Sequence, residues 1–243
     1  SKNIYTKTLN EIIFMILSII NSLRIKDVKI VFVSMPPIFT GFSGLIVSRI
    51  KHSKFIVDIR DLWVDLAIDL KFIKNSLLIK ILSKIEKSIL NSASLITCAT
   101  DGYIKNISEK INNKNIEIVS INNGYDEIDL EIDEDMINLR KKYGFNIDDF
   151  LITYIGNIGW PQGLKTIIKC IKDEKDLKLI LIGDGSERKE IEKIKIELSI
   201  ENLILINTIP KNKIKFYYAI SDALLVHLRK SEVLDLTIPS KIY

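Results

Sequence analysis

The sequence predicts an α/β protein made of two Rossmann-type domains, each on a parallel sheet, that face a cleft. Three observations carry this expectation. Short apolar runs alternate with helix-like stretches along nearly the whole chain, and strands that alternate with helices pair in parallel. A polar, acidic, turn-rich stretch, "NNGYDEIDLEIDED" from Asn122 to Asp135, breaks that rhythm once. Glycine-bearing and charged turns directly follow apolar runs, at the strand ends where open α/β sheets bind ligands. The expected domains are residues 1–148 and 149–243.

The elements follow in order. "IIFMILSII" (Ile12 to Ile20) is the most hydrophobic run. It has about half the roughly 20 residues needed to span a bilayer, so it reads as a buried or interfacial helix. "VKIVFVS" reads as a buried strand and "FTGFSGLIVSRIK" as a helix entered through a Gly/Ser-rich turn. "KFIVDIR" is a strand, and "LLIKILSKIEKSILN" has apolar residues at helical spacing. "ASLITCAT" is a strand, "DGYIKNISEKI" a helix capped by Asp101, and "IEIVSI" a strand. After the linker, "FLITYIG", "LKLILIG", "NLILIN" and "DALLVHL" read as strands. Between them lie helices over 163–171, "SERKEIEKIKIELSI" and "KNKIKFYYAIS". Such helices are expected on both faces of their sheets.

Composition bounds the function. With 243 residues and 47% hydrophobic content the chain can build packed cores. A net charge of +4 over this length allows attraction to phosphates or an anionic surface, and gives no ground for nucleic-acid binding. The two cysteines, Cys98 and Cys170, lie far apart in apolar segments without zinc spacing, and read as reduced core residues of a cytosolic protein. No metal site is expected. His52 precedes a strand and reads as exposed, and His227 ends one, with no metal partner for either.

Four loops carry candidate chemistry. In "YIGNIGWPQGL", Gly156 and Gly159 suit a backbone that approaches a ligand, and the helix from Gly163 aims N–H groups at an anion. The same glycines also suit a tight strand-to-helix turn. The loop is neither a P-loop nor a dinucleotide fingerprint. In "GDGSERKEIEK", Gly183 and Gly185 end a strand, with Ser186 as N-cap and Glu187 and Glu190 in the first turn. That loop either lines a base or sugar or is a well-capped turn. "DIRDLW" places Asp58, Arg60 and Asp61 at a strand end, either to position a hydroxyl or as a structural ion pair, with Trp63 as core or cleft wall. "LRKSEVLDLTIPSK" brings Arg229, Lys230 and Lys241 together, either to neutralise a diphosphate or as a basic surface loop.

The order of "SMPPIFTG", "VDIRDLW", "INNGYD", "YIGNIGWPQGL", "LIGDGSER" and "TIPSKIY" resembles glycosyltransferase family 4, and within it the bacterial N-acetyl-L-fucosamine transferase-like subgroup. The resemblance spans nearly the whole chain. It implies the GT-B fold and a retaining, metal-independent transfer from a nucleoside-diphosphate sugar, UDP-type favoured, to an acceptor hydroxyl, with no cofactor. By that resemblance Gly156, Asn157, Gly159, Gln162 and Gly163 meet the donor diphosphate. Thr208 and Ile209 hold the base, and Ser240 and Lys241 lie near diphosphate and ribose. Asp61 and Arg60 face the acceptor. The implied acceptor is a lipid-linked glycan of O-antigen or capsule assembly. The implied location is cytoplasmic, peripheral at the inner face of the cytoplasmic membrane.

The sequence departs from the family where Asn157 and Gln162 replace an Arg and a Lys that face the diphosphate, which leaves Arg229 and Lys241 as compensating cations. Leu236 replaces the first of two spaced glutamates. The second would follow Tyr243, and the chain opens with Ser1, so both domains are expected to be incomplete and the fragment by itself inactive. Two other functions fit the pattern: a nucleotide-sugar 2-epimerase of the same fold, and a non-catalytic nucleotide-binding partner.

Overall fold

A computed structural model describes residues 4–124, 132, 135–174 and 176–242. Two sheets of four parallel strands organise the chain. The polypeptide divides into one unit of Ser1–Gly124 with Lys230–Tyr243 and another of Tyr125–Arg229. This differs from a single boundary at 148/149 in two ways, each with a packing reason. Leu139 and Phe145 join the core of the second unit, so the segment ahead of its first strand belongs there. Val233 and Leu236 pack on the core of the first unit, so the last stretch returns to it. Most of the anticipated linker, residues 125–131, 133 and 134, lies outside the described residues.

The first unit opens with α1 (Ile4–Arg24), followed by β1 (Ile30–Met35), α2 (Ile38–Lys51) and β2 (Lys54–Ile59). Then come α3 (Trp63–Asp69), α4 (Ser76–Asn91), β3 (Leu95–Cys98), α5 (Gly102–Lys110) and β4 (Glu117–Ser120). Strand order is β1-β2-β3-β4, so every crossover steps the same way. Right-handed crossovers then place their helices on one face. Val33, Val57 and Ile96 from that face join Leu45, Ile89 and Ile107 from α2, α4 and α5 in one core. The expectation of helices on both faces therefore does not hold here: on the opposite face Ile30 and Phe32 are 53% and 61% exposed.

The sequence explains several local details. Asn75 caps α4, its side chain accepting from the N–H groups of Leu77 and Leu78. Asp101 stands at the start of α5 but makes no capping bond. The apolar run near the beginning extends to all of α1, which packs on α2 and leaves Leu9, Ile13, Leu17 and Ile20 exposed. Lys51 donates to the carbonyls of Leu23 and Ile25, tying the C-terminal ends of the two helices together.

The second unit runs α6 (Met136–Lys142), β5 (Phe150–Ile155), α7 (Leu164–Cys170), β6 (Leu177–Ile182), α8 (Arg188–Glu197), β7 (Leu203–Ile206), α9 (Lys211–Ile220) and β8 (Ala223–Leu224). Strand order is β7-β6-β5-β8. Here both faces are covered, because the chain reverses direction after β7. Tyr154, Leu179 and Leu203 pack with Leu164, Ile168 and Ile191 on one side. Leu151, Ile180 and Ile182 pack with Leu139, Tyr217 and Ile220 on the other. Cys98 is buried as expected, but Cys170 is exposed, because α7 is short and turns its Leu164–Ile168 face inward.

A buried guanidinium holds the second unit's lower end. Arg140 donates to the carbonyls of Ile220, Ile147 and Asp149 and pairs with Asp222 at 2.8 Å. The same Asp222 oxygen accepts from the Leu151 N–H at 2.7 Å. Arg140 thus links α6, the turn before β5 and the entry to β8.

Candidate functional site

In the second unit β5 neighbours both β6 and β8, so the connection changes direction between β5 and β8. Such switch points open a crevice at the strand C-termini. Here that place is bordered by residues 156–163 after β5 and 225–229 after β8. Their contacts are direct. His227 Nδ1 lies 2.7 Å from the Gln162 carbonyl oxygen, which fixes Nδ1 as the protonated nitrogen. The N–H of Arg229 donates to Pro161 O at 2.8 Å, and its Nε donates to Trp160 O at 2.7 Å. The guanidinium lies over the Trp160 ring, 4.0 Å from its centroid. Gly163 adopts φ +60°, and a β-carbon there would stand 2.8 Å from Arg229 Cγ, so only glycine lets the two loops meet.

The glycine loop is held by bonds to the end of β6 and the turn after it, and by its own side chains. The N–H of Gly156 donates to Ile182 O, that of Ile158 to Asp184 O, and that of Gly159 to the Gln162 side-chain oxygen. Buried Tyr154, its phenol pushed up to about 12 by burial, donates to Asn157 O at 2.6 Å. The N–H groups of Gly156 and Gly159 are thus engaged inside the protein, so any approach of a ligand to these glycines is through their lack of a side chain. Asn157, on the exposed side of the loop, is the residue turned to solvent. Gln162 spends its side chain on the loop itself.

Gly183 and Gly185 serve the packing of one loop on another. A β-carbon on Gly183, at φ +140°, would fall 2.0 Å from Gly156 O, and one on Gly185 would fall 2.4 Å from Ile158 O. Ser186 is not the cap of α8; Glu187 occupies that position, 4% exposed. Glu187 donates its N–H to Ile158 O, and its carboxylate meets Lys165 at 2.7 Å and Arg229 at 3.4 Å. Lys165 also meets Glu190 at 2.8 Å. Burial works against the Lys165 charge, but the bonds to both glutamates hold its ammonium above the ordinary range. Thr208 is exposed and Ile209 half-buried in the turn between β7 and α9. Thus residues 156–163, Trp160 among them, 183–187 and Arg229 share one connected cluster, into which the structure adds Lys165, Tyr154 and His227. Lys165 carries no sequence signal beyond its place at a helix start. Tyr154 does: a tyrosine in a buried strand needs a partner for its hydroxyl.

In the first unit Asp61 and Trp63 border a notch lined by Met35, Pro36, Ile38, Ile59, Val64 and Glu86. Asp61 itself is exposed at the rim of the notch; partial shielding from water by the protein raises its carboxyl above the usual range, with Arg60 partly opposing this. Within "DIRD" an ion pair does form, between Arg60 and Asp58. Arg60 Nε approaches Asp58 at 4.0 Å, and Asp58 itself accepts from Ser34 at 3.0 Å and Thr97 at 2.7 Å across the sheet. Trp63 is 41% exposed rather than core. Behind the notch Lys110 pairs with Asp65 and with buried Glu86, joining α3, α4 and α5. The returning segment docks on this unit: Ser231 donates to Asp69, and the hydroxyls of Tyr103 and Thr237 lie 2.8 Å apart. Ser240 and Lys241 belong to this docked segment. Burial lowers the Lys241 ammonium to about 8.

Among the described residues no group of metal-ligating side chains clusters, and no helix is long and apolar enough to cross a membrane. Residues 135–236 match the family described as "Glycosyl transferases group 1". No curated protein matches the chain by sequence. Among solved structures, Anabaena Alr3699/HepE in complex with UDP-glucose is similar at 17% identity and TM-score 0.65, over 82% of this chain and 53% of that one. Sucrose-phosphate synthase from Thermosynechococcus elongatus is similar at 14% identity and TM-score 0.64, over 81% and 49%. WaaG, a glycosyltransferase involved in lipopolysaccharide biosynthesis, is similar at 12% identity and TM-score 0.57, over 80% and 60%. The chain spans about half the length of the first two of these structures. With two parallel-sheet α/β units and these neighbours, the chain has an α/β fold of the GT-B type.

Proposed function

We propose that this chain belongs to a glycosyltransferase that moves a sugar from a nucleoside-diphosphate sugar to an acceptor hydroxyl. One observation carries the reading: the segment matching the glycosyltransferase family, 135–236, contains the whole loop cluster at the β5/β8 switch point. The UDP and UDP-glucose named with the Anabaena neighbour favour a UDP-type donor. In this reading Arg229, fixed through its Nε and the Trp160 ring, offers its remaining N–H groups to the diphosphate, and exposed Asn157 adds an amide. Placing donors where charge develops stabilises the departing nucleoside diphosphate. Lys241 and Ser240 approach the diphosphate and ribose, and the turn at Thr208 and Ile209 meets the base. Asp61 and Arg60 orient the acceptor.

Retention of configuration, membership of family 4 and its N-acetyl-L-fucosamine transferase-like subgroup, and independence of metal belong to the same proposal. So do a lipid-linked acceptor of O-antigen or capsule assembly and a cytoplasmic place at the inner membrane face. The exposed apolar side of α1 supports the membrane-facing part. Calorimetry of UDP, GDP and uridine against the protein tests the donor site. Turnover of UDP-sugars with and without acceptor glycans tests the reaction. Binding of UDP with transfer only when acceptor is present is the expected result. Isomerised donor without acceptor would favour an epimerase, and no nucleotide binding would remove the reading.

A further inference from the structure

Resting on that donor-site reading, the geometry points to Glu187 as an internal counter-ion that sets how tightly the second unit holds a diphosphate. Glu187 is nearly inaccessible, yet its carboxylate serves two cations that border the glycine loop. The two bonds are unequal. Lys165 sits at 2.7 Å, whereas Arg229 reaches the same oxygen only at 3.4 Å, beyond a strong charge-assisted bond. Arg229 takes its firm bond elsewhere, from Nε to Trp160 O at 2.7 Å. Its Nη2 end is thus lightly held. The other carboxylate oxygen, Oε2, is buried and has no hydrogen-bond partner among the described residues. A buried carboxylate left half satisfied is costly. What it does here is neutralise: with Glu190 also on Lys165, the two cations of the cluster meet two carboxylates.

A diphosphate arriving at the exposed edge of Arg229 competes with Glu187 for that guanidinium. Because Glu187 stays in place beneath the loop, its negative charge opposes the bound anion and favours release. Glu187 is a positioning residue by this account. Its backbone N–H fixes Ile158, while its charge tunes Arg229 and Lys165. This also gives a reason for the neutral Asn157: affinity is governed by a cation pair whose strength an internal carboxylate holds down.

The test compares wild type with Glu187→Gln and Glu187→Ala, using inorganic pyrophosphate, UDP and uridine in calorimetry, and thermal unfolding. Glu187→Gln keeps the shape and removes the charge. It should tighten pyrophosphate and UDP roughly three- to tenfold, as expected for one charge removed a few ångströms from the site, and leave uridine unchanged. Glu187→Ala, which also empties the space between Lys165 and Arg229, should bind pyrophosphate less tightly than Glu187→Gln. Unchanged or weaker pyrophosphate binding in a folded Glu187→Gln protein overturns the inference. Tighter pyrophosphate without any UDP preference over pyrophosphate would keep Glu187 as the counter-ion and remove the nucleotide reading instead. If wild type and Glu187→Gln both fail to bind pyrophosphate, the inference is also overturned.

Discussion

The phenol of Tyr154, at the inner end of β5, donates to the carbonyl oxygen of Asn157 at 2.6 Å. The bond reaches from the core into the turn that carries the proposed donor site, and it fixes the peptide next to the one exposed loop residue. Tyr154→Phe removes the donor and leaves a carbonyl with no replacement. The expected cost is about 1–3 kcal/mol of unfolding free energy, with weaker UDP binding. Urea unfolding and calorimetry check this. Weaker binding with unchanged stability would mean that the bond serves the site alone.

Gly183→Ala places a β-carbon against the Gly156 carbonyl at a backbone angle of +140°. Strain at such a position costs of the order of 1–3 kcal/mol, and the close contact adds to it. A clear fall in melting temperature is expected. Gly159→Ala should be milder, since its β-carbon meets the ends of the Asn157 and Gln162 side chains rather than backbone. Equal melting temperatures for the two variants would contradict the packing role assigned to Gly183.

Arg140→Met leaves three carbonyls and Asp222 without their buried partner. Breaking a buried pair from one side costs about 3–5 kcal/mol. The double variant Arg140→Met with Asp222→Asn should recover part of that loss, because the stranded carboxylate is gone. A double-mutant cycle in denaturant measures the coupling. Additive losses would show that the ion pair itself is unimportant.

Lys241 has its ammonium lowered to about 8 from 10.5 by burial. Between those pH values the unfolded chain binds the proton more readily, so the fold gains stability as pH rises from about 8 towards 10.5. Below about 8 the cost of the buried charge is present in full. Competitive acylation followed by peptide mass spectrometry should give a labelling midpoint near 8 for Lys241, well below exposed lysines. If Lys241 meets the donor diphosphate, UDP should move that midpoint upward. An ordinary midpoint would show that this lysine is solvated.

Although exposed, Asp61 is shielded from water enough on one side to raise its carboxyl, so its charge is lost at a higher pH than that of an ordinary aspartate as the solution is acidified. If it orients the acceptor, Asp61→Asn should lower kcat at least tenfold, about 1.4 kcal/mol, with UDP affinity unchanged. The acid limb of the wild-type rate profile should disappear in the variant. A matching drop in UDP affinity would assign Asp61 to the fold or to the donor.

How much of this could be read from the chain is clear element by element. The strands from Ile30 to Leu224 and most helices are local statements, because runs such as "LKLILI" and "LLIKILSKIEK" carry their own period. The turns after β5 and β6 were equally plain, since glycine marks where backbone must come close. The short helices α3 and α6 were not, because seven residues around Trp63 or Met136 give too little periodicity and are held by tertiary contacts. Nor does spacing reveal that 230–243 rejoins the first unit. That depends on Ser231 finding Asp69 and Thr237 finding Tyr103, partners more than a hundred residues away.

The sequence by itself therefore determined the parallel α/β class, the order of strands and helices, and the loops on which chemistry would lie. Only the tertiary structure decided what each loop residue does. Whether Gly159 offers its N–H outward depends on where the Gln162 side chain lies, and it lies on that N–H. Whether Gly183 faces a ligand or another loop depends on the neighbouring strand, and the Gly156 carbonyl fills the space. Whether Arg60 pairs with Asp61 or Asp58 depends on the strand pleat, which turns Asp58 toward Ser34 and Thr97. Periodicity is fixed by near neighbours along the chain, whereas hydrogen bonds and charges are satisfied by whatever the fold brings within about 3 Å.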